Sequence, residues 1–403
     1  MRESLIRNNK KIFSNMQILI LLMLFMSSMD FMSLHYYFVF IAFALCVISK
    51  SKTFSFDFCA LMLFCFSVSY ILFVTTSTSS LTSMLKPFTY PFCYCIGKNI
   101  FASENITQTS IQKQTKIGVI VVSMGAFAHY LLNFAINMYA TERITIDFLT
   151  KEILSATGQA SLSVMAVGVF AAMLFSETSK RAKILSIVGI LLALLYNLVL
   201  SGRTLILLVL LSLGIAFLLS QGSRTLKKKI YTIIIVIVVA ILVIVIYNAN
   251  ILGVKTLISE SNLVKRFEIQ DVEQDSRMDY KLKYIDLLFE YPFGGNKIRS
   301  EVGHHAHDIY LDTYNEVGII GFAFFAVFMI YSIISTFKMV KNKSLSSDVK
   351  ITLFCVFSIV MIDFMVEPIL QGMPWLFCCF CFIIGMINQI TTFEKSAKQM
   401  ELI

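Results

Sequence analysis

Apolar residues along this chain neither alternate nor keep a narrow helical stripe; they come in long unbroken runs. Twelve such runs cover 13–29, 34–49, 58–75, 81–101, 117–139, 160–176, 184–200, 205–220, 230–247, 317–337, 351–366 and 372–391. A helix that crosses a bilayer needs roughly 20 apolar residues, and one that is apolar all round has no face for water. The pattern predicts an all-α polytopic membrane protein with about twelve transmembrane helices. The run 81–101 stands apart, because Lys86, Pro87 and Pro91 interrupt it. It either spans or re-enters.

Charge between the runs orients them. Lys and Arg collect in every second connection: Lys50/Lys52, Lys98/Lys113/Lys116, Lys180/Arg181/Lys183, Arg224/Lys227/Lys228/Lys229 and Lys338/Lys341/Lys343/Lys350. The N-terminus (Arg2, Arg7, Lys10, Lys11) and the tail (Lys395, Lys398) are basic too. Cytoplasmic loops carry such residues, so both termini are expected inside. Dropping the run 81–101 would break the alternation, which argues that it spans. Residues 1–247 then hold nine helices, 248–316 form one large periplasmic loop with short helices, and 317–403 hold three more helices and a cytoplasmic tail.

Composition agrees and excludes other classes. Of 403 residues 57% are hydrophobic and 15% charged, with a mean hydropathy of +0.77. Soluble proteins have about 45–50% apolar and about 25% charged residues, so a soluble enzyme, a disordered chain and a disulfide scaffold are excluded. The net charge of +9 is spread over short inner loops and reflects topology, with no nucleic-acid partner implied. All nine cysteines fall in apolar runs and read as small hydrophobes. No A-x-A-like cleavage site follows Ser27 and Ser28, so the first run reads as a retained anchor in a bacterial inner membrane.

Polar chemistry concentrates in 248–316, which carries eight Lys/Arg, twelve Asp/Glu and the histidines His304, His305 and His307. Ser276-Arg277-Met278-Asp279 reads as a capping box. It opens a helix with Tyr280, Tyr284, Ile285 and Leu288 on one face, stopping at Tyr291-Pro292 ahead of Gly294-Gly295. Arg277 in the first turn opposes the helix dipole. Either it pairs with Asp279, Asp275 or Glu273, or it receives an anion such as phosphate together with the free backbone N–H groups. Arg203 is the one basic residue in the tight turn Ser201–Thr204; it either snorkels or makes a second anion contact. The three histidines have no zinc-ligand spacing, and a side chain titrating near pH ~6.5 suits a general base. The acidic cluster 271–275 is either a divalent-ion site or a solvated loop. Asp363 and Glu367, one turn apart at an outer helix end, call for a cationic partner such as Arg203 or Arg277.

In these residues the sequence resembles the bacterial O-antigen polymerase and O-antigen ligase superfamily. That family carries a histidine, then usually Asn, Ser or Gln, nine residues, and Gly-x-x-Gly. Here the pattern is His307-Asp308, nine residues, then Gly318-Ile319-Ile320-Gly321. An arginine, ten residues and then a glycine appear as Arg203 and Gly214. The arginine before a helix ending in Pro-x-Gly-Gly appears as Arg277 and Pro292-Phe293-Gly294-Gly295. The resemblance spans roughly 200–340 and implies a glycosyltransferase that needs no metal or cofactor. Its donor is a glycan on undecaprenyl diphosphate and its acceptor another glycan, in the lipid bilayer, with a flippase and a chain-length regulator as partner proteins. His307 would be the catalytic base, with Arg277 and Arg203 on the diphosphate. His304, His305, Asp308, Tyr280, Tyr284 and Glu367 would line the substrate. Gly318 and Gly321 let helices approach closely. Asp308 departs from the ligase-type residue, which favours a polymerase over a ligase. A lipid-linked sugar flippase and a structural subunit of an envelope assembly are the competing classes.

Overall fold

Eleven of the twelve apolar runs are helical in the computed structural model, which describes residues 13–74, 81–102, 107–138, 144–176, 179–200, 202–220 and 276–401. The run 230–247 and residues 248–275, with the acidic cluster 271–275, lie outside the described residues. The helices are α1 (Asn15–Ser28), α2 (His35–Ser49), α3 (Phe58–Val74), α4 (Leu81–Leu85), α5 (Thr89–Asn99), α6 (Gln108–Asn137), α7 (Ala156–Phe175), α8 (Lys180–Leu200) and α9 (Arg203–Ser220). After the undescribed stretch come α10 (Ser276–Leu287), α11 (Lys297–Val302), α12 (Ile309–Lys341), α13 (Ser347–Asp363), α14 (Ile369–Gly372) and α15 (Pro374–Glu401). Five are long and apolar enough to cross a membrane: Gln108–Asn137, Ala156–Phe175, Lys180–Leu200, Ile309–Lys341 and Pro374–Thr392. Leu72, Leu185, Leu210, Leu218 and Ile330 stand exposed on helix faces, and bilayer lipid covers such surface where no protein does. The chain is an all-α membrane protein with one small hairpin.

Packing centres on α7 and α15, which are buried nearly all round. Helices in lipid associate through close packing of small residues. Gly97 of α5 and Gly385 of α15 do this here: a Cβ on Gly97 would strike the Phe382 carbonyl, and one on Gly385 would strike the Tyr94 carbonyl. Asp57 ties the same region, accepting from Tyr94 Oη at 2.8 Å and from Lys98 Nζ at 2.6 Å.

Several boundaries move for identifiable reasons. The run 81–101 is α4 and α5 joined by a 3-10 turn, Lys86–Phe88, rather than one helix. A proline cannot donate into a helix, and the carbonyl of Pro87 is satisfied by Ser67 Oγ at 2.8 Å. Helix α6 starts nine residues before the apolar run, because Thr107 caps the Ser110 N–H and Gln112 and Lys116 bond to Ser344, Ser346 and Asp348. Helix α10 ends at Leu287, short of Tyr291.

The hairpin between α6 and α7 is an addition to the expected all-α pattern. Strand β1 (Ile144–Ile146) pairs antiparallel with β2 (Ile153–Ser155). A polar stripe on α6, His129, Asn133 and Asn137, holds it. His129 Nε2 lies 2.7 Å from Asp147 Oδ2. Asn133 accepts from the Phe148 N–H at 2.7 Å, and Asn137 exchanges two bonds with the Ile146 backbone at 2.8 and 3.0 Å. Burial alone would raise the Asp147 carboxyl, but His129 and the N–H groups of Leu149 and Thr150 outweigh it and hold it below the usual carboxylate range.

Candidate functional site

The site begins with the break in α12. Gly318 has φ 64° and ψ −173°, a region that essentially only glycine enters. It divides α12 into a head, 309–317, and a longer shaft. The Pro292-Phe293-Gly294-Gly295 segment lies along the break. Ile319 N–H donates to the Pro292 carbonyl at 2.8 Å, Gly295 N–H to Glu316 O at 2.9 Å, and Asn296 N–H to Asn315 O at 2.9 Å. A Cβ on Gly318 would meet Pro292 O at 2.5 Å, and one on Gly294 would meet Glu316 O at 2.6 Å. The expectation that Gly318 lets two helices approach is thus corrected: what approaches it is the backbone of a loop. Gly321, one turn on, faces Ser69 of α3 in the expected way.

This joint fixes α10 and the histidine turn against each other. Tyr284 is fully buried with Ile298, Ala306 and Tyr314, and its hydroxyl donates to the His304 carbonyl at 2.8 Å. It packs the site rather than facing a substrate, and Ile285, expected on the same face, is exposed. Tyr280 stacks on the His304 ring, centroids 4.6 Å apart. His305 is partly buried, with Nδ1 3.8 Å from Asp312 Oδ1. Burial and the nearby charges of Arg299 and His304 push it below its ordinary value.

At the head of α12, Asp308 is the N-cap. Its Oδ1 accepts from Tyr310 N–H at 3.0 Å and Leu311 N–H at 3.4 Å, satisfying donors that a helix start leaves free. His307, just before it, has φ 55°. The buried carboxylate of Asp312 accepts the Ala306 N–H at 2.9 Å and the Asp308 N–H at 3.3 Å.

Everything converges on the turn that follows α13. Three successive carbonyls of that turn are taken: Phe364 O by Ile309 N–H at 2.8 Å, Met365 O by Lys281 Nζ at 2.6 Å, and Val366 O by Arg277 at 3.1 Å. Arg277 also pairs with buried Glu367 at 3.5 Å, and Lys281 with Asp308 at 3.3 Å. Of the two partners open for Arg277, an acidic neighbour is therefore present, Glu367; Glu273 and Asp275 lie outside the described residues. Arg277 and Lys281, one turn apart on α10, make a cationic edge that reaches Asp308, the residue after His307, through Lys281. The structure thus gathers Arg277, Tyr280, Tyr284, His304, His305, His307, Asp308 and Glu367. Arg203 opens α9, but its side chain lies outside the described residues.

Three residues escaped the sequence reading: Lys281, Asp312 and Glu316, whose Oε1 accepts from Tyr70 Oη at 3.2 Å. Lys281 could have been found at i+4 from Arg277. Among the described residues, no three His, Cys, Asp or Glu side chains converge in a way that could hold a metal ion. No protein-family model matches the chain and no curated protein does, so its function has to be read from the site itself.

Proposed function

We propose that the protein is a glycosyltransferase of the bacterial inner membrane that polymerises oligosaccharide repeat units, carried on undecaprenyl diphosphate, into O-antigen or a similar surface polysaccharide. On this reading the chain crosses twelve times with both termini cytoplasmic, and the site faces the periplasm. The observation that supports it is one juxtaposition. The helix start two residues after His307, which itself sits on a left-handed turn, and two cations from a distant segment are bonded to the single turn 364–367, at the end of apolar helices. A base beside a cationic edge at a membrane surface is what transfer from a lipid diphosphate requires.

The chemistry follows. His307 takes the proton of an acceptor sugar hydroxyl. The oxygen attacks the donor's anomeric carbon, and the C–O bond to the diphosphate breaks as the new glycosidic bond forms. The electron pair leaves with undecaprenyl diphosphate, and attack opposite the leaving group inverts the centre. Negative charge grows on the diphosphate, where the guanidinium donor of Arg277, joined on this reading by Arg203, stabilises it as a metal would. Each charge-assisted bond is worth roughly 1.5–3 kcal/mol, so Arg277→Ala costs about 10- to 150-fold in turnover.

A ligase would use the same donor and the same base. Asp308 does not choose between them, because it acts as a helix cap and Asn or Ser would cap equally well. The test is a gel profile of surface polysaccharide from a deletion strain complemented with wild type or His307→Ala. Lipid A–core carrying one repeat unit in the deletion strain supports the polymerase. Bare lipid A–core with accumulated lipid-linked polymer makes it the ligase. Full rescue by His307→Ala sinks the transferase reading and returns the flippase.

A further inference from the structure

His307 occupies a backbone region that bulky L-residues avoid, with φ 55°. Such a conformation persists only where the surroundings over-determine it. Here the two peptide N–H groups flanking His307, those of Ala306 and Asp308, both point to one carboxylate, at 2.9 and 3.3 Å. That carboxylate is Asp312, 1% exposed and carried on the first turn and a half of α12. Its own place is set by the joint between the α12 head and the Pro292–Asn296 segment.

We propose that Asp312 is a positioning residue for the transfer reaction: its two oxygens clamp the peptides on either side of His307 and aim the imidazole at the acceptor hydroxyl. The inference rests on the reading of His307 as the base, and it adds a residue that touches neither donor nor acceptor. The clamp needs two acceptors in one group. Asparagine keeps one acceptor oxygen and places an N–H₂ donor against the other backbone N–H, so one strap is lost and the pair repels. The turn then relaxes out of the left-handed region, and the ring moves by an ångström or more. Displacement on that scale costs on the order of 10²-fold in rate. On the same reading the donor is held by a different element, the α10 edge of Arg277 and Lys281.

The experiment uses the full-length protein in lipid nanodiscs with a lipid-linked repeat unit as donor. For Asp312→Asn, kcat is expected to fall tenfold to a hundredfold while the donor KM stays within about twofold. A kcat within twofold of wild type overturns the proposal. So does a parallel loss of kcat and donor affinity, which would make Asp312 a plain strut of the loop. If Asp312→Asn does not reach the membrane folded, Asp312→Ser, which keeps one acceptor, is judged by the same split. His307→Ala assayed alongside separates the two failures. Wild-type turnover there removes the base itself, whereas its loss with an unaffected Asp312→Asn removes only the clamp.

Discussion

Replacing Gly318 by alanine tests the joint on which the site is built. Two costs add. The backbone at φ 64° and ψ −173° is strained for any residue with a Cβ, by roughly 1–3 kcal/mol. The new methyl would also sit 2.5 Å from Pro292 O and 2.5 Å from Phe293 C, both backbone atoms that cannot swing aside. Overpacking of that kind costs roughly 1–3 kcal/mol more. Relief by separation would break the Ile319–Pro292 and Gly295–Glu316 bonds, at about 1 kcal/mol each. The total is about 2–6 kcal/mol, a large share of the ~5–15 kcal/mol by which folded proteins are stable. Gly303 is the control. It has φ 82° but no described atom within 4 Å of a built Cβ, so Gly303→Ala should cost only about 1–2 kcal/mol. Unfolding midpoints in detergent rank the two, and hydrogen exchange over 288–296 and 309–319 locates the damage. Equal midpoints for the two variants would refute the backbone-to-backbone account of the joint.

Three further outcomes are expected. Asp308→Asn keeps the N-cap and loses only the partly exposed pair to Lys281, so unfolding midpoint and turnover should stay close to wild type; Asp308→Leu should lose about 1 kcal/mol of stability. His129→Leu leaves Asp147 buried without its ring partner and should cost about 3–5 kcal/mol, read as early loss of exchange protection in the 144–155 hairpin. The pH dependence of the histidine turn follows from His305, which is depressed in the folded chain. Below pH ~6.5 the unfolded state takes up the proton first, so stability falls as pH falls. The drop in exchange protection of 303–308 from pH 7.5 to 5.5 should therefore be larger in wild type than in His305→Gln, and a larger drop in the variant would contradict the sign.

Long-period features were the legible ones. Runs of apolar residues located the helices because lipid leaves a backbone few alternatives, and Lys86-Pro87-Pro91 marked a run that proved broken. Within the polar stretch 276–308, the turn chemistry of Ser276 and Gly294-Gly295 placed α10 and the connector to within about a turn. What stayed hidden depends on two distant segments meeting in register. Asp312 reads as an ordinary acid in a helix until the turn before it folds back. The stripe His129, Asn133, Asn137 has a visible spacing of four, but its purpose lies in a hairpin too short for its own pattern to stand out. Gly318 was recognisable as special. That its neighbour is a loop carbonyl was not.

The interruption in α12 also has a mechanical effect. The shaft after Gly318, residues 319–341, is roughly 34 Å long at 1.5 Å per residue and ends among Lys338 and Lys341. A helix of that length adjusts its tilt as bilayer thickness changes. In a continuous helix that tilt would swing His307 through the same angle, since the first turn would move as the far end of a lever. Here the head is tied to the Pro292–Asn296 loop and to Phe364 O, and the shaft joins the same loop through Ile319 N–H, across a break in the helix. The histidine turn is thereby insulated from the membrane that carries it, and its geometry should hold in bilayers of different thickness.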